Sequence, residues 1–183
     1  MVRRVLAPLG DTRVQRWLDT RTFHPSTFPA ERLAVERDAT VSVCVSIEAT
    51  AAALSGLVAA GAIDEVVVLD PGPIAAGLAA TTGDVVAFLG EAARADAVLG
   101  LVGPIVCEPG AAFCLGFASL EDETPPGHPD LAGVRAPRSR ELAGRRGLLE
   151  GVPHAPGELG LLLVVHAAVG LRGMAQADLC AVP

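Results

Sequence analysis

The sequence predicts an α/β fold, Rossmann-like, with a mostly parallel sheet flanked by helices, and three observations predict it. Val41 to Ile47 is a continuous β-branched run, the mark of a strand buried on both faces. An Ala/Leu/Val helix, Thr50 to Ala60, and a second apolar strand, Asp64 to Asp70, follow it to complete a strand–helix–strand unit. A third apolar run, Val85 to Leu89, starts at the turn Gly83-Asp84 and stops in the small segment Gly90-Glu91-Ala92. Open α/β sheets bind ligands outside such carboxyl ends, so the stretch Gly83 to Arg94 marks where a site is expected.

Composition bounds the rest. A chain of 183 residues fits one domain with a sizeable core. Hydrophobic residues at 51% against 19% charged exclude a disordered chain. A net charge of -7, with no basic run carrying interleaved aromatics, speaks against a nucleic-acid surface. All 14 basic residues are arginine and there is no lysine, asparagine or tyrosine, a bias that fits a GC-rich genome better than any chemistry. Cys44, Cys107, Cys114 and Cys180 form no CxxC pair and no disulfide framework, so buried thiols in a reducing cytoplasm are expected. The apolar run before Asp11 is too short for a signal peptide. Leu159 to Leu171 holds only 13 residues and includes His166, so it reads as a buried helix and not as a membrane span.

Taken in order, residues 1–37 form an N-terminal arm, 38–117 an α/β core, 118–138 a linker loop, and 139–183 C-terminal helices with a closing strand. In the arm, Val14, Trp17 and Leu18 make one helical face. Pro25 and Pro29 then force extended backbone, and Phe23 and Phe28 pin the arm to the core. His24 reads as a packed or solvated loop histidine in preference to a ligand. Asp70 suits two roles equally: an acceptor for ribose or base hydrogen bonds, or a turn aspartate before Pro71-Gly-Pro73. A short helix is expected over Ile74 to Thr82. A longer one spans Ala92 to Val106, interrupted near Gly103-Pro104 where the ring kinks it, and Phe113 to Phe117 forms a further strand. Ser119 to Pro137, rich in Pro, Gly and acid, reads as a mobile linker. Ser139 caps a helix to about Glu150, whose Arg140, Arg145 and Arg146 make either an anion-binding face or, the commoner case, a solvated face paired with Glu141. Leu159 to Gly170 is an apolar helix and Met174 to Val182 the closing strand. No phosphate-loop, GxGxxG, GxSxG or HExxH motif is present.

Seven stretches in one collinear order carry a resemblance. They are Arg21-Thr-Phe-His with Phe28-Pro29, Val41-Ser-Val-Cys44, Ile63 to Asp70, Thr81 to Leu89, Gly103-Pro-Ile, Glu141 to Glu150, and Gly170 to Leu179. Together they resemble the glucosyl-3-phosphoglycerate synthases, nucleotide-sugar glycosyltransferases with a type A fold. The resemblance implies that fold with a shortened C-terminal helical part. It also implies the family reaction, glucose transfer from a nucleoside-diphosphate glucose to 3-phosphoglycerate with retention, using Mg²⁺ or Mn²⁺ in a protein that is typically dimeric. Such chemistry needs a hard cation held by carboxylates against the leaving diphosphate.

Against the family pattern, most of the site is changed. Ser46-Ile47-Glu48 stands where the family contacts the nucleotide, with Glu48 a partial remnant. Asp70 matches the first acid after the second strand, but Pro71-Gly-Pro73 replaces the segment that follows, and no lysine remains for the donor. Gly90-Glu91-Ala92 replaces the metal-binding Asp-x-Asp; Glu91 carries a carboxylate at the intervening position, which points elsewhere from a strand exit. Phe113-Cys-Leu-Gly116 stands for a lysine-containing stretch, and the acceptor loop is shortened into Ser119 to Pro129. Glu158 matches a glutamate near the family's reaction centre, and Pro183 precedes the family's metal-binding histidine. The resemblance thus implies Glu158 as the catalytic candidate, Glu48, Asp70 and Glu91 as nucleotide-sugar-binding candidates, and no metal ligand or retained cation. It implies UDP-glucose or GDP-glucose as ligand, a homodimer or a heterodimer with a full-length homologue, no nucleic-acid partner, and activity lost or much reduced. A rebuilt active site on Asp70, Glu91 and Glu158 is the competing expectation.

Overall fold

A computed structural model describes residues 12–90, 94–118, 131, 133–135, 140–152 and 157–180, with backbone alone at Thr12 and Glu158. Seven strands form one sheet: β1 (Thr22–Phe23), β2 (Val41–Val45), β3 (Glu65–Val68), β4 (Val85–Phe88), β5 (Phe113–Phe117), β6 (Leu142–Arg145) and β7 (Met174–Asp178). Their order is β1-β7-β5-β6-β4-β2-β3. Only β6 runs against its neighbours, antiparallel to both β4 and β5, and every other pair is parallel. The helices are α1 (Thr12–Arg21), α2 (Ala30–Glu36), α3 (Glu48–Ala53), α4 (Ser55–Ala59), α5 (Ile74–Ala80), α6 (Ala95–Cys107), α7 (Arg146–Glu150) and α8 (Gly157–Val169).

Alternation along the strands divides the apolar side chains between two faces. Val41, Val43, Val45, Val85, Ala87 and Leu89 pack with Ala175 and Ala177 against Val98, Leu101, Val102 and Ile105 of α6 and against Leu54 and Leu57. The opposite face sets Cys44, Val86, Phe113, Leu115, Leu142 and Met174 against Trp17, Leu78, Leu149, Leu161, Leu162 and Val165. Each buried Val, Leu or Ile contributes about 1.5–3 kcal/mol, so the α6 side alone supplies much of the driving force for folding.

The arm is held as its aromatic residues foretell. Phe28 is fully buried and its ring lies 5.4 Å from that of Phe23. Trp17 donates its indole N–H to the carbonyl of Met174 at 3.0 Å, which ties α1 to β7. His24 is exposed, and its Nδ1 accepts from the Ser26 N–H to cap a 3-10 turn, Pro25–Thr27.

Four local expectations change. The expected helix over Thr50 to Ala60 divides into α3 and α4 at Leu54. The helix expected from Ser139 to Glu150 is a strand, β6, followed by the single turn α7, because Leu142, Ala143 and Gly144 close the gap between β4 and β5. Hydrogen bonds to two open strand edges outweigh the helix preference of Glu-Leu-Ala. The closing strand expected over Met174 to Val182 is present as β7 but ends at Asp178, and it lies between β1 and β5, with Gln176 fully buried and donating to the Thr22 hydroxyl. Helix α6 runs through Pro104 without interruption. Most of the expected linker lies outside the described residues, and the described Leu131 and Val134 are buried in the core. No described helix is long and apolar enough to cross a membrane.

Candidate functional site

The chain passes from β2 out to β3 and returns to β4 on the other side of β2, so the strand order reverses between β2 and β4. A crevice forms at such a reversal because neighbouring connections leave in opposite directions. It is present here as a cleft of about 690 Å³. Ser46 stands in it at the end of β2, Leu69 and Asp70 at the end of β3, and Leu89 and Gly90 at the end of β4. Because β6 is antiparallel, its beginning stands at the same end of the sheet, and it adds Arg140 and Leu142. Pro71 to Gly77 form one wall, and Gly157 and Leu161 of α8 another.

The floor is apolar. A Cβ on Gly77 would stand 2.3 Å from the Phe88 ring and 3.1 Å from Cys44 Sγ, so glycine lets α5 settle onto β2 and β4. Burial, with Glu65 nearby and only partly opposed by Arg146, pushes the Cys44 thiol up to about 11. Cys44 is therefore a neutral wall atom at physiological pH and not a nucleophile. The Ser46 hydroxyl is buried at the cleft with no hydrogen-bond partner among the described residues.

Among the described residues that line the cleft, Asp70 is the only carboxylate and Arg140 the only permanently charged cation. Asp70 is exposed and stands just past the end of β3, with Leu69 between. Glu48 is exposed as the first residue of α3 and does not line the cleft. Glu91 lies outside the described residues. Glu158 is the second residue of α8, next to the cleft-lining Gly157, and only its backbone is described. The structure thus brings Asp70 and the start of α8 to one cleft and leaves Glu48 beside it.

Three arginines expected on a shared helical face have separate fates. Arg145 donates to Asp38 at 2.9 Å and to the Ile105 carbonyl at 3.0 Å. Arg146 donates to the carbonyls of Gly83 and Leu78, both at 2.8 Å, and to the Thr81 hydroxyl at 2.9 Å, which locks α7 to α5 and β4. Strand pleating separates them from Arg140, which alone of the three reaches the cleft. Sequence inspection grouped it with Arg145 and Arg146 because a helix was expected there. Glu141 was missed as a site neighbour: its Oε1 is 3.9 Å from where a Gly90 Cβ would be, and burial, opposed by Arg94, holds its carboxyl above the ordinary range.

The described residues do not fit a divalent-cation site. Gly90 offers no side chain at the end of β4, and no three His, Cys, Asp or Glu among the described residues stand close enough to share an ion.

A mixed sheet with one inserted antiparallel strand and a cleft at the β2/β4 reversal defines the class of fold: the type A fold of nucleotide-sugar glycosyltransferases. Comparison with known proteins agrees. The chain is 34% identical over 129 residues to the glucosyl-3-phosphoglycerate synthase of Mycolicibacterium smegmatis, a match over 56% of this chain and 43% of that protein. It therefore spans less than half the length of the curated relative. The Mycobacterium tuberculosis glucosyl-3-phosphoglycerate synthase solved in complex with Mg²⁺ and uridine diphosphate superposes with a TM-score of 0.72 at 28% identity, covering 88% of this chain and 77% of that one. A mannosyl-3-phosphoglycerate synthase from Rubrobacter xylanophilus gives a TM-score of 0.74 over 91% and 75% of the two chains, at 22% identity, a likeness of fold. No family model matches the chain. The chain is thus similar in sequence to a glucosyl-3-phosphoglycerate synthase and shares the fold of solved members of that family.

Proposed function

We propose that this protein binds a nucleoside-diphosphate sugar in the β2/β4 cleft and transfers glucose to 3-phosphoglycerate at a lost or much reduced rate. The relatives solved with uridine diphosphate and UDP-glucose support that ligand class. Asp70 and Ser46 are the groups offered to ribose or base, Glu48 and Glu91 are the further nucleotide-sugar-binding candidates, and Glu158 is the catalytic candidate at the head of α8. Residues 1–183 are taken as one domain. The observation that carries the proposal is Gly90, a residue without a side chain at the strand end where the family holds its cation. A diphosphate leaving group without a cation faces a barrier several kcal/mol higher, while a scaffold persists independently of its chemistry.

Purified protein is to be incubated with UDP-glucose or GDP-glucose, 3-phosphoglycerate and Mg²⁺ or Mn²⁺. No release of nucleoside diphosphate above a heat-inactivated control is expected, with a rise in Tm on adding either nucleotide sugar. Sustained turnover overturns the loss of activity. If that turnover disappears in Asp70→Ala and Glu158→Ala, the rebuilt active site is the correct reading.

The outer face of α8 favours a second reading, that of a dimerising partner of a full-length homologue. Val164 is 41% exposed there, beside the exposed Ala167 and Ala168. Co-purification at micromolar concentration with such a homologue supports it, and failure to co-purify counts against it.

A further inference from the structure

β3 is the last strand of the sheet, and no described strand pairs with its outer edge. We propose that this edge accepts an extended segment of a partner protein as an added strand, with apolar residues in its middle and Arg or Lys toward both ends. The surface lies outside the cleft, and the inference does not depend on nucleotide binding.

Strand order and register carry the argument. Among the described residues β3 pairs with β2 alone. The Leu69 N–H donates to the Val45 carbonyl at 2.9 Å, while the carbonyls of Thr40 and Cys44 take N–H groups of Val85 and Leu89 on the β4 side. Backbone groups alternate in direction along a strand, so Glu65, Val67 and Leu69 turn theirs to β2, and Val66 and Val68 turn theirs outward. Proteins commonly guard such an edge with lysine, proline or a charge inside the strand. Val66-Val67-Val68-Leu69 has none of these, and all four residues are only half-buried.

The helices beside the edge leave it open to a partner. On one face α3 packs beside β3 with Ala52 and Ala53 exposed, and α4 adds the exposed Val58 and Ala59. On the other face α5 follows β3 through Pro71-Gly-Pro73. The Thr82 N–H, just past α5, donates to Glu65 Oε1 at 2.6 Å, and Ala75, Ala76, Ala79 and Ala80 are exposed. An apolar edge between small, uncharged flanks suits strand addition, in which main-chain hydrogen bonds supply affinity and side chains supply selectivity.

Charge selects the occupant. Residues 38–93 hold seven of the 21 acidic residues and none of the 14 basic ones, so this segment accounts for the whole net charge of -7. Arg37 reaches in from outside to pair with Asp64. Glu65 then stands at one end of the apolar run and the exposed Asp70 at the other. A second copy added antiparallel would set Glu65 against the Asp70 of its mate, which like charges disfavour. A strand with a basic residue at each end answers both acids in either direction.

Fluorescein-labelled Arg-Val-Thr-Val-Thr-Arg, and its counterpart with Glu in both Arg places, are titrated by anisotropy against the parent chain, Val68→Pro and Val67→Lys. The basic peptide is expected to bind at least about tenfold more tightly than the acidic one. Val68→Pro removes an outward N–H at a position where an edge strand tolerates proline, and Val67→Lys installs a guard cation; each should weaken binding at least about tenfold. Melting temperatures show which variants are folded, and Val67→Lys decides the matter if Val68→Pro is not. In the parent, the peptide should slow amide exchange at Val66 and Val68. Absence of binding, equal binding of the two peptides, unchanged binding in a folded variant, or no slowing at Val66 and Val68 overturns the proposal. Concentration-dependent dimers that slow the same amides without peptide would make a second copy the occupant and overturn it as well.

Discussion

The Sγ of Cys114 lies 3.8 Å from the carbonyl oxygen of Gly100, the group that Pro104 deprives of its helical partner. Proline has no N–H to give to the residue four positions back, which is why an interruption of α6 was expected. A thiol from the adjacent strand β5 supplies a donor instead, and α6 continues to Cys107. Burial raises this thiol's pKa far above the ordinary value, so the proton stays on sulfur. Cys114→Ala should cost roughly 1–2 kcal/mol in urea unfolding, the sum of a small cavity and an unpaired carbonyl. In a Pro104→Ala background, where an N–H returns to Gly100, the cost of Cys114→Ala should fall, and an unchanged cost in that double-mutant cycle would refute the pairing.

Gly103 on the same helix should resist a change that helix propensity favours. Alanine is about 1 kcal/mol better than glycine in a helix interior. A Cβ on Gly103 would stand 2.2 Å from Cγ of the fully buried Phe28, however. Overpacking of this kind costs about 1–3 kcal/mol, so Gly103→Ala should lower Tm.

Arg146 should be worth more as a clamp than as a charge. Three of its N–H groups satisfy Gly83, Leu78 and Thr81. Arg146→Ala should destabilise by about 2–3 kcal/mol. Arg146→Lys should recover little, because an ammonium lacks the fork that spans three acceptors. Full stability of the lysine variant would show that charge alone matters.

Stability should fall in acid through two linked carboxylates at the amino ends of the strands. Hydrogen bonds from Arg37, and secondarily from the Val41 N–H, hold the Asp64 carboxyl below the ordinary range. Hydrogen bonds from Ser42 and Thr82 do the same for Glu65. A lowered native pKa means that the stabilising contribution is complete above the unfolded values, about 3.9 for Asp and 4.3 for Glu, and is lost as pH drops through the native ones. Urea midpoints recorded between pH 6 and pH 3 should therefore decline below about pH 4. Glu65→Gln should be less stable than the parent at pH 6 and approach it at pH 3. A constant difference between the two would refute the linkage.

Much of the scaffold is legible in the chain because burial on both faces leaves a local record. The runs Val41 to Ile47, Val85 to Leu89 and Phe113 to Phe117 are apolar at every step or nearly so and each is a strand or contains one, and Val66 to Val68 make up most of β3. Gly90 and Asp70 are equally legible as strand exits, since a strand end and a Pro-Gly turn are local events. Three features left no local record. Strand β6 reads as helix until β4 and β5 offer it two open edges, and the inner place of β7 depends on where β1 returns to the sheet. Arg140 and Gly90, fifty residues apart in sequence, come to one cleft only because β4 and β6 pair. The sequence by itself determined which segments must be buried, because hydrophobicity is a property of each residue. Which residues share the cleft was decided only by the tertiary structure, because pairing between distant strands is a property of the whole sheet.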